Sequence, residues 1–406
     1  MISSSLRVAF FPDSYNEIDG VANTARHFEA FAQRNDLPFL TVFGWTENGS
    51  ENVGSVRRLS RRRGRFGFAL DKKHDFDLIF WRHLEKIEAA VREFDPDILH
   101  ITGPSDIGQI GLAIAQRLKI PLAASWHTNV HQYAERRGSS MLSFLPESTR
   151  EKLGGLMGRG TLMATLRFYK AAQILFAPNQ ELIELMEKGT GKPCYPMYRG
   201  VDTELFNPKR RTREGGPFTI GFVGRLTVEK NIHYLADVER ALIGSGFKDF
   251  QLLIVGQGAE EPWLRANLRQ ADFTGVLRGE ALAEAYANMD VFLFPSLTDT
   301  YGNVVLEALS CGVPAVVSDG GGPRFIVREG ETGFVARDLP EYVARLRRLA
   351  ENPEELRAMR VAARAHAMTA SWDAVFESVY AAYERTLKTA MVEGKKIRMR
   401  PHTVLL

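Results

Sequence analysis

Cysteine is nearly absent from this chain of 406 residues: Cys194 and Cys311 stand far apart and in no metal-like spacing. That excludes a disulfide framework and favours reduced, structural thiols. No apolar run approaches the roughly 20 residues needed to cross a bilayer. The opening MISSSLRVAFF has no apolar region of signal-peptide length and runs straight into a strand-like segment, so the cytoplasm is the expected compartment. Gly256-Gln257-Gly258 lacks the third glycine and the later acidic partner of a dinucleotide fingerprint, which leaves a tight turn after a strand. An excess of either charge is missing too: 52 Lys and Arg against 49 Asp and Glu give a net charge of +3. Solenoid repeats and low-complexity tracts are not found.

What is present is a globular composition, 45% hydrophobic and 25% charged, in a length that suits two domains. Short apolar runs rich in β-branched residues read as strands: LRVAFF (6–11), LPFLTVF (37–43), DILHI (97–101), IPLAAS (120–125) and QILFAP (173–178). A second set follows: FTIGFVG (218–224), FQLLIVG (250–256), DVFLFPS (290–296) and VPAVVS (313–318). Segments between them, such as ELIELMEK (181–188) and LAEAYANM (282–289), have helical periodicity. Alternation of this kind predicts an α/β fold with parallel sheets covered by helices on both faces. The charged, Gly- and Pro-bearing stretch NPKRRTREGGP (207–217) reads as the break, giving domains 1–206 and 207–370. SWDAVFESVYAAYERTLK (371–388) is an amphipathic helix with no strand after it, and 389–406 is a basic tail. Two such sheets facing each other would bring their strand carboxyl ends to one interdomain cleft, where open α/β folds bind ligands.

Charge is unevenly placed. Arg57, Arg58, Arg61, Arg62, Arg63 and Arg65 crowd together, and the tail carries Lys395, Lys396, Arg398 and Arg400. Either these are a solvated loop and a frayed terminus, or they hold anionic lipid at the inner face of a membrane, helped by the apolar MLSFLP (141–146). Nucleic acid is not expected as a partner, since no aromatic interleaving or binding motif accompanies the arginines.

The densest chemical signal runs from Pro295 to Val327, PSLTDTYGNVVLEALSCGVPAVVSDGGGPRFIV. A buried strand ends at Pro295-Ser296, and NVVLEALS makes a short helix that stops at Cys311-Gly312. Gly302 stands at the helix start, where outward N–H groups and the dipole suit a phosphate. Asp299 and Glu307 frame this loop. Carboxylates beside a diphosphate would repel it, so they are expected to accept hydrogen bonds from sugar hydroxyls, Asp299 from a hexose and Glu307 from a ribose. Asp299 reads equally as a helix N-cap; Glu307 has no such alternative. A second constellation, GFVGRLTVEKN (221–231), ends a strand in a glycine turn followed by Arg225 and Lys230. These are either ordinary turn cations or a clamp for a leaving pyrophosphate, whose charge grows as the glycosidic bond breaks. A third, DSYNEIDGVANTARHF (13–28), places Gly20 at a helix start. A fourth, ASWHTNVHQY (124–133), puts His127 just after a strand, as a packed strand-end histidine or a site residue. His131 lies four residues on, yet no third ligand is spaced to make a metal site with the pair.

The Asp299–Glu307 segment resembles the E-x7-E signature of family 4 glycosyltransferases of GT-B fold, with Asp299 in place of the first glutamate. GFVGRLTVEKN, the S-x-H-T context of His127, VLRGEALAEAY (276–286) and YRGVDTELFNP (198–208) resemble further segments of the same family. The resemblance implies two Rossmann-like domains, with donor binding in the C-terminal one and the last helix returned to the N-terminal one. It implies retaining transfer of a hexose from a nucleotide diphosphate sugar of UDP-glucose or GDP-mannose type to a lipid, saccharide or small-molecule hydroxyl, with no required metal or cofactor. His127, Asp299, Arg225 and Lys230 are the implied catalytic residues. Gly20, Leu277, Arg278, Thr300, Tyr301, Gly302, Asn303, Val304 and Glu307 complete the implied donor site. A nucleotide-sugar epimerase and a non-catalytic nucleotide-sugar binder remain as alternatives.

Overall fold

The computed structural model describes residues 6–17, 20–64, 67–71, 74–77, 79–127 and 147–392. The chain divides into two compact units, the first made of Met1–Tyr198 and Asp373–Leu406, the second of Arg199–Trp372. The division therefore precedes the 207–217 stretch, which is built into the second unit. Asn207 caps the short turn Pro208–Arg210, and Arg211 and Arg213 grip the two oxygens of Asp290 at 2.9 and 2.8 Å.

In the first unit the strands are β1 (Val8–Phe11), β2 (Phe39–Trp45), β3 (Gly49–Val53) and β4 (Val56–Arg62). A separate antiparallel ribbon follows, β5 (Gly67–Asp71) with β6 (His74–Asp77), and then β7 (Ile98–Ile101), β8 (Leu122–Ser125), β9 (Ile174–Ala177) and β10 (Cys194–Pro196). The main sheet has the order β10-β9-β8-β7-β1-β2-β4-β3, parallel except for the last pair. β1, β7, β8 and β9 are buried along their whole length, which is why they read as unbroken apolar runs. The helix Trp372–Val392 belongs to this unit: Phe376 stacks on Phe28 with ring centres 4.5 Å apart, and Tyr380 and Tyr383 pack beside it.

The arginine-rich stretch is a strand, not a loop. Val56 and Leu59 enter the core, while the arginines between them find partners. Arg57 meets Glu93 at 3.1 Å, Arg58 meets the buried Glu29 at 2.6 Å, and Arg63 meets the buried Asp106 at 3.1 Å. Arg61 donates to the carbonyls of Ser60 and Gly49. Four of the six arginines are thus held by the fold itself; Arg65 lies outside the described residues, as do His131, the 141–146 segment and the tail from 393.

The second unit contains β11 (Phe218–Val223), β12 (Phe250–Val255), β13 (Ala271–Gly275), β14 (Val291–Phe294), β15 (Ala315–Ser318) and β16 (Gly333–Ala336), all parallel in the order β13-β12-β11-β14-β15-β16. From β11 the chain builds outward through β12 and β13, then returns to β14 on the other side. The reversal between β11 and β14 leaves a crevice beyond their carboxyl ends, because the two following connections part there.

Candidate functional site

Both connections at that reversal carry the residues singled out above. After β11 come Arg225 and the turn Val228–Lys230; after β14 comes the loop 295–302. Three polar links zip the loops together. Lys230 Nζ lies 2.5 Å from Asp299 Oδ1, the Asn231 amide donates to the Pro295 carbonyl at 3.2 Å, and the Thr298 hydroxyl donates to the Glu229 carbonyl at 3.1 Å.

Asp299 is not the helix cap. Its second oxygen accepts from the Ser296 hydroxyl at 2.5 Å, and Gly302 takes the cap position instead. Burial alone would raise the Asp299 pKa, yet the Lys230 ammonium, the Ser296 hydroxyl and the positive field of Arg225 hold it below the ordinary carboxylate range. Arg225 itself is exposed. Behind the loop, Gly322 N–H donates to the Asp299 carbonyl at 2.6 Å. A Cβ on Gly322 would fall 2.1 Å from the Thr300 carbonyl, so only glycine lets this support approach. Ser296 and Gly322 were missing from the sequence reading: the serine looks like any strand end, and the glycine's role depends on a neighbour twenty-odd residues earlier.

Helix Asn303–Ser310 starts at Gly302, whose φ of 95° is a left-handed backbone state open mainly to glycine. The first turn holds Asn303 and Val304, both half-buried, whose N–H groups precede any carbonyl of their own helix that they could bind, while Val305 N–H donates to the Gly302 carbonyl at 2.9 Å. Glu307 follows on the same helix and accepts from the Tyr286 hydroxyl at 2.9 Å. Burial drives its carboxyl up to about 7, against the opposing pull of that hydrogen bond. Tyr286 lies on the helix Gly279–Ala287, whose start is flanked by Leu277, packed on the core, and the exposed Arg278. The Tyr301 hydroxyl donates to the Arg199 carbonyl at 3.3 Å, and Thr300 sits beside it, half-buried. Of the expected site residues, all but two lie in the second unit.

Those two belong to the first unit. Gly20 opens the helix Gly20–Arg34 and is exposed. His127 is buried just beyond β8, its Nε2 2.6 Å from the Ser125 hydroxyl. The same hydroxyl lies 2.9 Å from His100 Nε2, and His100 Nδ1 meets the Tyr383 hydroxyl. Burial among Phe10, Phe28 and Phe176 pushes the His100 pKa down to about 3, so this ring is neutral. Asp13, beyond the end of β1, accepts from the Ser105 hydroxyl at 2.5 Å, and burial raises its pKa to about 6. The sequence showed no signal for Asp13, because its partners come from the turn after β7. Among the described residues no group of three or more His, Cys, Asp or Glu is placed to hold a metal ion.

Against this geometry stand the comparisons. A family model described as Glycosyltransferase Family 4 matches residues 19–205, and one described as Glycosyl transferases group 1 matches residues 217–352. A GDP-mannose-dependent alpha-mannosyltransferase from Mycolicibacterium smegmatis is 33% identical over 312 residues, which span 73% of this chain and 76% of that protein. The chain belongs to glycosyltransferase family 4. An alpha-monoglucosyldiacylglycerol synthase from Acholeplasma laidlawii is 23% identical over 86% of this chain and 90% of that protein. Among solved structures, sucrose-phosphate synthase from Thermosynechococcus elongatus superposes with a TM-score of 0.73 at 18% identity, covering 95% of this chain and all of that one. This family 4 glycosyltransferase thus has the GT-B fold, two Rossmann-like units. No helix among its described residues is long and apolar enough to cross a membrane.

Proposed function

We propose that this glycosyltransferase moves a mannosyl group, with retention, from GDP-mannose to a hydroxyl of a lipid or lipid-linked acceptor. The observation that carries the donor half is the junction of Lys230, Asp299 and the Gly302 helix start at the β11/β14 reversal. Diphosphate oxygens fit the helix N–H groups, Lys230 and Arg225. Asp299, held ionised, accepts from hexose hydroxyls, and Glu307 from the ribose. As the bond from the anomeric carbon to the diphosphate breaks, charge grows on the leaving oxygen, and the two cations bind that state more strongly than the ground state. The acceptor oxygen forms the new bond on the same face, and its proton passes to the leaving phosphate. Asp299 is engaged by Lys230 and Ser296, which suits binding better than nucleophilic attack. The mannosyl and lipid parts of the proposal rest on what the two sequence relatives are named for.

The test is release of nucleoside diphosphate from GDP-mannose and from UDP-glucose, with and without a panel of lipid and saccharide acceptors, and the anomeric configuration of the product by NMR. Acceptor-dependent GDP release with an α-linked product is expected. Donor isomerisation without release would assign an epimerase instead, and tight donor binding with no turnover would assign a binding protein. Since Arg225, Lys230 and the helix start supply the positive charge, we expect EDTA to leave turnover unchanged; its loss, restored by a divalent ion, would overturn that part.

A further inference from the structure

The helix Glu147–Tyr169 of the first unit is apolar on two sides. One side packs into the core through Leu162, Leu166 and Tyr169. The other presents Leu153, Leu156, Met157 and Met163, which are 37%, 60%, 46% and 67% exposed. Single exposed leucines and methionines are common and mean little. Here they recur at helical spacing, with the exposed Gly160 and Ala164 between and beside them, so they form one continuous stripe. At 1.5 Å per residue it is about 15 Å long.

Glu147 and Glu151 stand in the turns before the stripe, and from Lys152 onward the helix carries charges of one sign only. Lys152, Arg159, Arg167 and Lys170 are all exposed, and no Asp or Glu occurs between Lys152 and Gln180. At about 100° per residue, Lys152, Arg159 and Lys170 line one edge of the stripe and Arg167 extends its carboxyl end. A second copy of the chain is a poorer occupant, because a self-complementary contact would set Lys152, Arg159 and Lys170 against their own like, with the helix's two carboxylates, Glu147 and Glu151, both before the stripe. A soluble face would alternate both signs. An apolar stripe edged only by cations matches a bilayer with anionic headgroups, into whose interface such helices sink their apolar side while each cation gains about 1 kcal/mol from the surface potential.

We propose that this face of the helix Glu147–Tyr169 seats the protein on an anionic lipid surface. The role replaces the one expected of Arg57–Arg65, where Arg57, Arg58 and Arg63 are already paired with carboxylates. It deepens the lipid-acceptor reading above, and the binding itself is independent of donor chemistry.

The full chain is sedimented with vesicles of phosphatidylcholine alone and of phosphatidylcholine with phosphatidylglycerol, at low and high salt. We expect it to sediment with the mixed vesicles at low salt and to stay in solution with the neutral ones. Leu156→Ser with Met163→Ser, both at exposed positions, should weaken vesicle binding by ~10-fold, in line with the loss of two inserted apolar side chains. Arg159→Glu with Lys170→Glu should abolish the preference for anionic vesicles. Both variants should keep wild-type donor affinity and wild-type nucleoside diphosphate release to a soluble acceptor, which separates loss of docking from loss of transfer. Failure of the wild type to sediment would overturn the proposal. So would variants that bind vesicles as the wild type does, or a concentration-dependent dimer that the serine variant loses while vesicle binding persists.

Discussion

A lysine and an aspartate 2.5 Å apart, both less than a fifth exposed, join the two loops at the sheet reversal of the second unit. In the proposed mechanism, removing the cation takes away charge offered to the leaving diphosphate, and it leaves Asp299 with Ser296 as its hydrogen-bond partner there. Lys230→Ala should therefore lower kcat by roughly 10²–10³, the scale seen when one electrostatic stabiliser is lost, with a folded protein by circular dichroism. Glu307 supplies a pH signature. Its folded pKa of about 7 exceeds the ordinary 4.5, so the folded protein holds this proton where the unfolded chain has lost it. Unliganded stability then falls as pH rises from the lower value through the upper one. In the proposed role Glu307 accepts from the ribose hydroxyls, and the ionised carboxylate is the stronger acceptor, so affinity for GDP should increase as pH rises through about 7. Calorimetric titration across that range tests this, and Glu307→Gln should flatten the slope.

At the level of elements, the helix Asn303–Ser310 was legible residue for residue, since Gly302 and Gly312 mark its ends chemically and both take positive φ. Gly302→Ala sets a Cβ 2.9 Å from Pro323 and forces alanine into a left-handed state costing about 1–2 kcal/mol. We expect a corresponding drop in urea midpoint and weaker donor binding. The buried strands were legible because both of their faces are apolar. β4 was not. Only Val56 and Leu59 betray its inward face, and the carboxylates that pair with Arg57, Arg58 and the following Arg63, namely Glu93, Glu29 and Asp106, come from helices far off in sequence. The same limit hid Ser296, Gly322 and Asp13, each of which acquires its role from a partner that only folding brings near. The expected motif residues were readable for the opposite reason: the chemistry of a turn and a helix start is local.

Over the whole molecule, both sheets place candidate residues beyond the carboxyl ends of their strands, Asp13 and His127 in the first unit and Lys230 and Asp299 in the second. The first unit is also discontinuous, since Phe376, Tyr380 and Tyr383 complete the packing around Phe28, Phe31 and His100. A chain ending at Ser371 would leave that aromatic face uncovered. Limited proteolysis of such a truncation should cut the first unit readily while a fragment near Arg199–Trp372 survives; equal resistance of both would count against this.

That closing helix also carries a consequence for how the protein is made. During synthesis the ribosome delivers residues 1–198 first, yet their last packing partners emerge only after all of Arg199–Trp372 has followed. The core running from Ala9 to Cys194 is complete within the first stretch, but the face around Phe28, Phe31 and His100 stays open to water until the last helix arrives. The first unit is therefore the first to be made and the last to be completed, and its open aromatic face is what a chaperone would find to hold.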